Sequence, residues 1–322
     1  MPDFTWVVGS GGLLGQSAET AIGATPGDLW RAPRRVSWSA SDGGREDLRE
    51  LAQQFLNDAE DRPWSVWWCA GAGTVTTPEA TLQLELQALH ATLEQLGASA
   101  SARRGAFFFA SSAGGAYAGV GAPPYDESSP VRPLGAYGRA KLDAEALVTE
   151  WSERSGTPAL IGRIANIYGP GQNVNKAQGL ISQICRSHLF GTPLSIYVPL
   201  DTLRDYLFAP DCAQLIRDAM SRLRREHATT GATVVTKVIA SQRAITVGAV
   251  LGEMRRIFKS PPRIVVGSST VSQFQARDLS LRSRVWADVD RRTLTPFPVG
   301  VAVTSADLLR RLQGAQLVSS LP

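Results

Sequence analysis

Apolar and polar positions alternate along the first half of the chain in a repeated strand–helix pattern. Short continuous apolar runs are followed by longer segments whose apolar residues recur every three or four positions, which is the period of an amphipathic helix. The apolar runs lie at 4–8, 64–70, 105–110 and 158–164, and the helical segments at 13–22, 45–57, 79–96 and 137–152. This alternation predicts an α/β fold, a Rossmann-type doubly wound parallel sheet with helices on both faces.

The remaining segments are less regular. Short strands are predicted at 28–31 and 35–38, and further strands at 233–241 and 264–266. Helices are predicted within 171–191 and at 211–225, 247–258 and 306–312, the last with Ser305 as its N-cap. We therefore predict a Rossmann domain over 1–170, to which the chain returns at about 205–245. A smaller C-terminal domain is expected over 171–322.

Composition excludes several classes of protein. The chain has 322 residues, 43% hydrophobic and 19% charged, with 33 basic and 29 acidic side chains. Because the basic and acidic side chains nearly balance, the net charge does not predict a nucleic-acid partner. No apolar run approaches the roughly 20 residues of a membrane helix, and no basic segment precedes the first strand as in a signal peptide. Three unclustered cysteines predict free thiols in the cytoplasm, and the three histidines show no metal-ligand spacing.

A glycine-rich segment separates the first predicted strand from the first predicted helix. Its glycines follow a G-x-x-G-x-x-G pattern, whereas G-x-G-x-x-G fails because position 14 is leucine. Such glycines permit a tight turn, let backbone N–H groups approach a pyrophosphate, and let helix and strand pack closely. The alternative is a turn that simply needs glycine. We predict a dinucleotide site that contains Gly9, Gly11, Gly12, Leu13, Leu14 and Gly15.

The end of the second predicted strand carries arginines instead of an acid. An NAD site usually places an acidic residue about 20 positions past the first glycine, on the ribose hydroxyls. Here Arg31 occupies the strand end, and Arg34 and Arg35 follow. A guanidinium can pair with the 2′-phosphate of NADP, so Arg31 favours NADP, with NAD as the alternative. A solvated turn in an arginine-rich chain would also explain these residues.

Tyr137 and Lys141 are four positions apart in a predicted helix and therefore project from one face of it. A nearby ammonium stabilises a phenolate and lowers the pKa of the phenol, which is otherwise about 10. The phenol can then exchange a proton near neutral pH, and the lysine can also hydrogen-bond a nicotinamide ribose. With six tyrosines and four lysines in the chain, a chance pair at this spacing is rare.

Two serines, Ser111 and Ser112, follow the apolar run that ends at 110. Side chains at the carboxyl end of a parallel strand face the ligand crevice, so one hydroxyl can hold a substrate oxygen beside Tyr137. We predict that Ser112 is catalytic and that Ser111 contacts the substrate, although the two roles could be exchanged. For either serine alone, a turn or a helix cap is the alternative explanation.

The sequence resembles the extended short-chain dehydrogenases/reductases, the NAD(P)-dependent nucleotide-sugar epimerase/dehydratase family, over nearly its whole length. The resemblance is carried by six segments, at 9–15, 69–72, 111–117, 137–141, 163–170 and 204–211. It implies that Ala70 and Gly71 contact the cofactor, and that Asn166 and Arg204 contact the diphosphate of a nucleotide-linked substrate. An amide and a guanidinium suit a phosphate. A surface pair with Asp205 is the alternative for Arg204.

The chain departs from the family pattern around this site. The family serine or threonine often lies at the position of Ala113, so Ser112 is shifted by one residue. The Asp-Glu pair of the 4,6-dehydratases is replaced by Ala113 and Gly114, which leaves no carboxylates there for elimination. A helical asparagine of the family is absent, and Glu85 and Gln87 stand in that region. We therefore expect an atypical sugar pocket.

Taken with the resemblance, these residues predict an NAD(P)-dependent oxidoreductase whose active site lies in the cleft between the two domains. Tyr137 is the expected acid/base, and Lys141 tunes and positions it. The expected reaction is reduction of a nucleotide-linked 4-keto-sugar. The alternatives are a nucleotide-sugar 4-epimerase, a reductase of a non-nucleotide carbonyl compound, and a non-catalytic cofactor-sensing protein. Relatives that pair through two long helices imply a homodimer.

Overall fold

A computed structural model describes residues 3–23, 27–71, 73–74, 76–174, 179–231, 233–267 and 276–314. Within them the strands, in chain order, are β1 Phe4–Val8, β2 Leu29–Trp30, β3 Trp64–Trp68, β4 Gly105–Ser112, β5 Ala159–Ile164, β6 Asn166–Tyr168, β7 Leu194–Ile196, β8 Leu203–Phe208, β9 Val234–Ile239, β10 Ala244–Thr246, β11 Ile264–Val266 and β12 Asp278–Leu279. The helices are α1 Leu13–Ile22, α2 Arg45–Ala59, α3 Glu79–Gly97, α4 Ala113–Tyr117, α5 Ala136–Ser155, α6 Leu180–Phe190, α7 Ala209–Thr230, α8 Val247–Phe258 and α9 Phe297–Gln313.

Six strands form the central sheet in the order β2-β1-β3-β4-β5-β9, and every pairing in it is parallel. β1 and β3 are buried at all their positions because helices cover both faces, as parallel strands require. One core cluster packs α2, α3 and α5 against the sheet, and a second packs α1 and α7 against its other face. The predicted Rossmann-type α/β fold is confirmed.

The direction of side chains along β4 follows the two-residue period of a strand. Phe107 and Phe109 enter the core beneath α3 and α5, whereas Phe108 enters the core beneath α1 and α7. Continued to the end of the strand, the same alternation points Ser111 towards α5 and Ser112 towards the other face. The two candidate serines therefore have different surroundings.

The rest of the molecule is built from short strands and three packed helices. β8 pairs with β6, β10 and β12 in a second sheet, and β7 pairs with β11. α6, α8 and α9 share a third core cluster with residues of β6 and β8. The chain then returns to the first layers, since β9 is the sixth strand of the central sheet and α7 packs against α1. The division into domains at residue 170 stays a prediction.

Three predicted elements differ from the structure. The strand predicted at 35–38 is wrong, because Asp47 of α2 holds this segment instead by accepting hydrogen bonds from the Arg34 side chain and the Ser37 N–H. α7 continues past its predicted end at residue 225 to Thr230. α9 begins at Phe297, well before the predicted start, and Ser305 lies in its interior. Proline in its first turn supplies a φ suited to a helix start.

Candidate active site

The glycine loop lies where β1 and β3 run side by side. Gly9 has φ +89°, and a Cβ atom there would lie 2.6 Å from the backbone N and Cα of Ala70. Only glycine satisfies both the left-handed conformation and this close approach. A Cβ atom at Gly15 would collide with the carbonyl oxygen of Gly9. The loop is therefore held against the carboxyl end of β3, and the predicted cofactor residues Gly9 and Ala70 are in contact.

α1 begins directly after this loop and points its N-terminus at the crevice. Gly12 is the N-cap residue and supplies no side chain to cap the first turn, which leaves backbone N–H groups and the positive end of the helix dipole for an anion. Gly11 and Gly12 are exposed, and Leu13 is half-buried. Leu14 packs in the core, so a cofactor could meet its backbone but not its side chain.

Arg31 directly follows β2 and is exposed. β2 pairs with β1 through Trp6 and Trp30, so Arg31 lies at the edge of the crevice that the glycine loop lines. In the described part of the chain no acidic side chain forms an ion pair with Arg31, whereas the guanidinium of Arg34 bonds to Asp47 and Glu50 of α2. Arg35 is also exposed and forms no ion pair with a described acidic side chain, so ion pairing sets apart Arg34 alone among the three arginines.

Tyr137 and Lys141 line one pocket together with Ala70, Gly71 and Glu85. Lys141 Nζ donates a hydrogen bond of 3.0 Å to the carbonyl oxygen of Ala110 at the end of β4. The inner wall of the pocket is apolar and comes from α3, α5, the sheet and one exposed tryptophan, namely Trp38, Trp68, Leu82, Leu86, Leu89, Phe109, Ala140 and Ala144. The structure therefore brings the tyrosine, the lysine and the two predicted cofactor residues after β3 to one place.

A close contact between α4 and α5 places Ser112 beside the first turn of α5. A Cβ atom at Gly138 would lie 2.8 Å from Pro133 Cβ and would collide with the carbonyl oxygen of Gly115. A Cβ atom at Gly115 would lie 3.4 Å from both Ser112 Oγ and Gly138 Cα. Because Gly138 directly follows Tyr137, the absence of a side chain at these two glycines lets Ser112 approach the turn that carries the tyrosine.

The two candidate serines have separate hydrogen-bond partners. Ser112 Oγ is half-buried and accepts a 3.1 Å hydrogen bond from the Gly115 N–H as the N-cap of α4. Ser111 is 5% exposed and donates its hydroxyl to the carboxylate of Glu145 in α5. This buried bond takes Ser111 out of the surface available to a substrate and is at odds with its predicted contact. Ser112 has the less buried side chain of the two, and its catalytic role stays a prediction.

Asn166 and Arg204 lie on the second sheet. Asn166 pairs with Tyr206 in the β6–β8 ladder, and Arg204, two residues before Tyr206, shares that face of β8. Asn166 is exposed, whereas Arg204 is 8% exposed and donates to the carbonyl oxygen of Leu203 at 2.8 Å. Burial lowers the pKa of Arg204.

The alternative of an Arg204–Asp205 surface pair is wrong. Asp205 points to the opposite face of β8 and is 1% exposed. Its carboxylate accepts backbone hydrogen bonds from Ser241 at 2.8 Å and from Arg243 at 3.1 Å. The two adjacent charges therefore serve different surfaces, and the Arg204 side chain is on the face that it shares with Asn166.

A model of the NAD dependent epimerase/dehydratase family matches residues 6–231. The chain belongs to this family. The matched range includes the glycine loop, Ser112, Tyr137, Lys141, and the segments of Asn166 and Arg204, which are the segments on which the resemblance rested. Ala72, the last residue of one of them, lies outside the described residues.

Two known proteins illustrate the sequence similarity. The dTDP-glucose 4,6-dehydratase of Haemophilus influenzae is 34% identical over 92 residues, which is 29% of this chain and 26% of that enzyme. The dTDP-L-rhamnose 4-epimerase of Burkholderia thailandensis is 32% identical over 98 residues, or 30% of this chain and 27% of that enzyme. These matches span about a quarter of each relative, and the two relatives catalyse different reactions.

Solved structures share the fold along almost the whole chain. The Thermotoga maritima UDP-glucose 4-epimerase with UDP-glucose has a TM-score of 0.78 at 18% identity, covering 96% of this chain and 99% of its own. MoeE5 with UDP-glucose and NAD has a TM-score of 0.75 at 22% identity, with the same two coverages. RMD of Pseudomonas aeruginosa with NADPH also has a TM-score of 0.75 at 22% identity, covering 95% of this chain and 99% of its own. At these identities the likeness establishes the fold.

One buried group in this family member was not predicted from the sequence. Glu145 accepts hydrogen bonds from Arg163 Nη2 at 2.7 Å and Nε at 3.1 Å, as well as from Ser111. Arg163 Nη1 also donates to the Tyr117 hydroxyl at 2.9 Å. Burial alone would lower the pKa of Arg163, but Glu145 and Tyr117 outweigh it and raise the pKa. The spacing gave a signal, since Glu145 is four residues after Lys141 on one helical face.

Other candidate chemistry in the described residues is limited. There, no group of three or more His, Cys, Asp and Glu side chains could hold a metal ion. The three cysteines form no disulfide, and burial raises the pKa of the Cys69 thiol beside the crevice. None of the described helices combines the length and apolar character needed to cross a membrane.

Proposed function

We propose that the protein reduces a carbonyl group of a nucleotide-linked sugar, most simply a 4-keto group, with NADP(H) as cofactor. The observation that carries this proposal is the pocket in which Tyr137 and Lys141 meet Ala70 and Gly71. Ser112 approaches the first turn of α5, which carries Tyr137, through the contact of Gly115 with Gly138. A phenol, an ammonium and a hydroxyl at the carboxyl edge of a parallel sheet form an arrangement for moving a proton to or from an oxygen.

The residues present fit a dinucleotide cofactor, which would supply the hydride. The loop from Gly9 to Gly12 leaves room for a pyrophosphate at the N-terminus of α1. Arg31, exposed at the end of β2, would pair with a 2′-phosphate, because a guanidinium offers two parallel donors to phosphate oxygens. NAD is the alternative if Arg31 remains in solvent.

The side chains of the site divide the remaining work. Ser112 would hold the carbonyl oxygen of the substrate by a hydrogen bond. Tyr137 would donate its phenolic proton to that oxygen as hydride reaches the carbon, so that a new C–H and a new O–H bond replace the π bond of the carbonyl and a C–O single bond remains. The ammonium of Lys141 would stabilise the phenolate that remains until solvent restores its proton. Asn166 and Arg204 would bind the diphosphate of the substrate.

Two features favour reduction over the reactions of the relatives. Ala113 and Gly114 follow Ser112 as the first residues of α4, so this position offers no carboxylate for elimination of water. Arg31 favours NADP, a cofactor that suits net reduction. A 4-epimerase is the second candidate, since a 4-epimerase is among the relatives. Homodimer formation through two long helices and a cytoplasmic location stay predictions.

The test supplies the purified protein with NADPH and a nucleotide-linked 4-keto-hexose while absorbance of the reduced nicotinamide is followed. Loss of NADPH in proportion to product is the result expected of a reductase. Interconversion of two nucleotide hexoses without added cofactor would identify an epimerase instead. If neither occurs but the protein reduces a carbonyl compound without a nucleotide, the sugar assignment is wrong. If it binds NADPH and turns over no carbonyl compound, a sensing role replaces the enzyme.

A further inference from the structure

Glu85 of α3 places a carboxylate in the pocket of Tyr137 and Lys141. Gly71, three residues after β3, has φ +136°, and a Cβ atom there would lie 3.4 Å from Lys141 Nζ and 3.6 Å from Glu85 Oε2. The surface of the pocket above Gly71 is thus flanked by a cation on α5 and an anion on α3. A side chain at this position would fill the space between the two charges.

The surroundings of Gly73 also show where the Glu85 carboxylate lies. A Cβ atom at Gly73 would lie 3.5 Å from Glu85 Oε2 and 3.3 Å from Cδ2 of the Tyr137 ring. The carboxylate of Glu85 therefore lies near both the aromatic ring of the tyrosine and the ammonium of the lysine. Two glycines keep side chains away from all three groups.

The charges limit what the space above Gly71 can take. An anion there would be repelled by Glu85, and a cation would be repelled by Lys141. A hydroxyl group satisfies both neighbours, because it accepts a hydrogen bond from an ammonium and donates one to a carboxylate. A vicinal diol does so with two oxygens. The pairing of Lys141 and Glu85 across Gly71 is therefore suited to the hydroxyls of a sugar ring.

We propose that Glu85 is a cofactor-binding residue that accepts a hydrogen bond from a hydroxyl of the nicotinamide ribose, opposite Lys141. This inference rests on the proposed function, because it assumes that a nicotinamide cofactor occupies the pocket. With Glu85 in this role, the two ends of the crevice carry opposite charges. Arg31 at one end attracts the 2′-phosphate of the adenosine half, and Glu85 at the other end excludes it, so the charges orient the cofactor with its nicotinamide half beside Tyr137.

The experiment compares two ligands on the wild-type protein and on Glu85→Gln. NADP⁺ carries both ribose halves, whereas 2′,5′-ADP carries only the adenosine half. Dissociation constants are measured by quenching of tryptophan fluorescence, without turnover. Since a charge-assisted hydrogen bond is about twice as strong as a neutral one, Glu85→Gln should lower the affinity for NADP⁺ by about 3- to 30-fold. Binding of 2′,5′-ADP should stay at the wild-type level.

Two further variants serve as comparisons. Glu85→Ala removes the acceptor altogether and should lower the affinity for NADP⁺ by about 10- to 100-fold. Glu153→Gln makes the same charge change on an exposed position of α5 and should leave both ligands unaffected. It thereby controls for the general loss of one negative charge.

The outcomes separate this inference from the proposed function. If the wild-type protein binds neither ligand, the cofactor assignment is wrong, and the proposed role of Glu85 is rejected together with it. If the wild-type protein binds both ligands and Glu85→Gln and Glu85→Ala bind NADP⁺ equally well, the role of Glu85 is overturned while the proposed function stands. Equal weakening of NADP⁺ and 2′,5′-ADP would also overturn it, because the effect would then not be confined to the nicotinamide half.

Discussion

The two halves of the candidate site are built in different ways. Ser112, Tyr137 and Lys141 stand on long elements of the central sheet layer. There the buried Glu145–Arg163 ion pair ties α5 to β5, and the hydrogen bond from Ser111 to Glu145 ties α5 to β4. Asn166 and Arg204 stand on β6 and β8 of a small sheet whose strands have two to six residues. In the first half a buried ion pair and glycine contacts add to long parallel ladders, whereas the second half is held by short ladders and the buried Asp205.

This difference predicts where substitutions act. In the first half the side chains that would do chemistry share α5 with the side chain that anchors the helix, so rate and stability depend on neighbouring residues. In the second half Asp205 anchors the strand from one face, and Arg204 is left to the other face. Changes there should alter substrate affinity while the cofactor half continues to work.

The largest effect is expected at the phenol. Tyr137→Phe keeps the ring and its packing but removes the transferable proton, so kcat should fall by about 10²- to 10⁴-fold, the range for a lost general acid. Fluorescence titration should show NADP⁺ affinity close to that of the wild type. A variant that turns over at nearly the wild-type rate would contradict the role of Tyr137.

The anchor of the first half should show mainly as stability. Glu145→Ala leaves Arg163 buried without its carboxylate, which should lower the free energy of unfolding by about 3–5 kcal/mol in urea titrations. Ser111→Ala removes one hydrogen bond to that carboxylate and should cost about 1.5–3 kcal/mol. Glu153→Ala, on the exposed face of the same helix, should change stability by less than about 0.5 kcal/mol. Equal costs for Glu145→Ala and Glu153→Ala would show that the buried pair anchors nothing.

The edge of the cofactor crevice offers an intermediate effect. Arg31→Ser removes the guanidinium proposed to meet the 2′-phosphate, so the preference for NADPH over NADH should fall by about 10- to 100-fold. Titration of both cofactors into the wild-type protein and the variant measures this ratio directly. A wild-type protein that prefers NADH would remove Arg31 from the site and leave the fold unaffected.

The smallest effect is expected in the second half. Arg204→Lys keeps the charge but loses the planar fork of donors, so affinity for a nucleoside diphosphate sugar should fall by about 3- to 10-fold. Calorimetric titration of the nucleotide sugar, with NADP⁺ titrated as the internal comparison, tests it. Equal losses for both ligands would mean that the two halves are coupled rather than independent.

Local spacing alone determined much of this protein. The strand–helix alternation predicted the parallel sheet, and the position of Gly9 and Gly15 around one turn predicted a loop that presses on its neighbours. Tyr137 and Lys141 were placed together because a helix brings residues four apart to one face. These features depend on residues close in the chain, so the sequence carries them directly.

The tertiary structure decided what depends on distant residues. Position along β4 could not tell which of Ser111 and Ser112 is buried and bonded, since that depends on Glu145, which accepts the Ser111 hydroxyl, and on its ion pair with Arg163. The first turn of α9 packs Gly300 against Tyr168 of β6, where a side chain would clash, and this contact joins two elements far apart in the chain. The position of the Glu85 carboxylate opposite Lys141 is visible only in the fold, because α3 brings it to the other side of Gly71. Such contacts join residues far apart in the chain, and no local pattern records them.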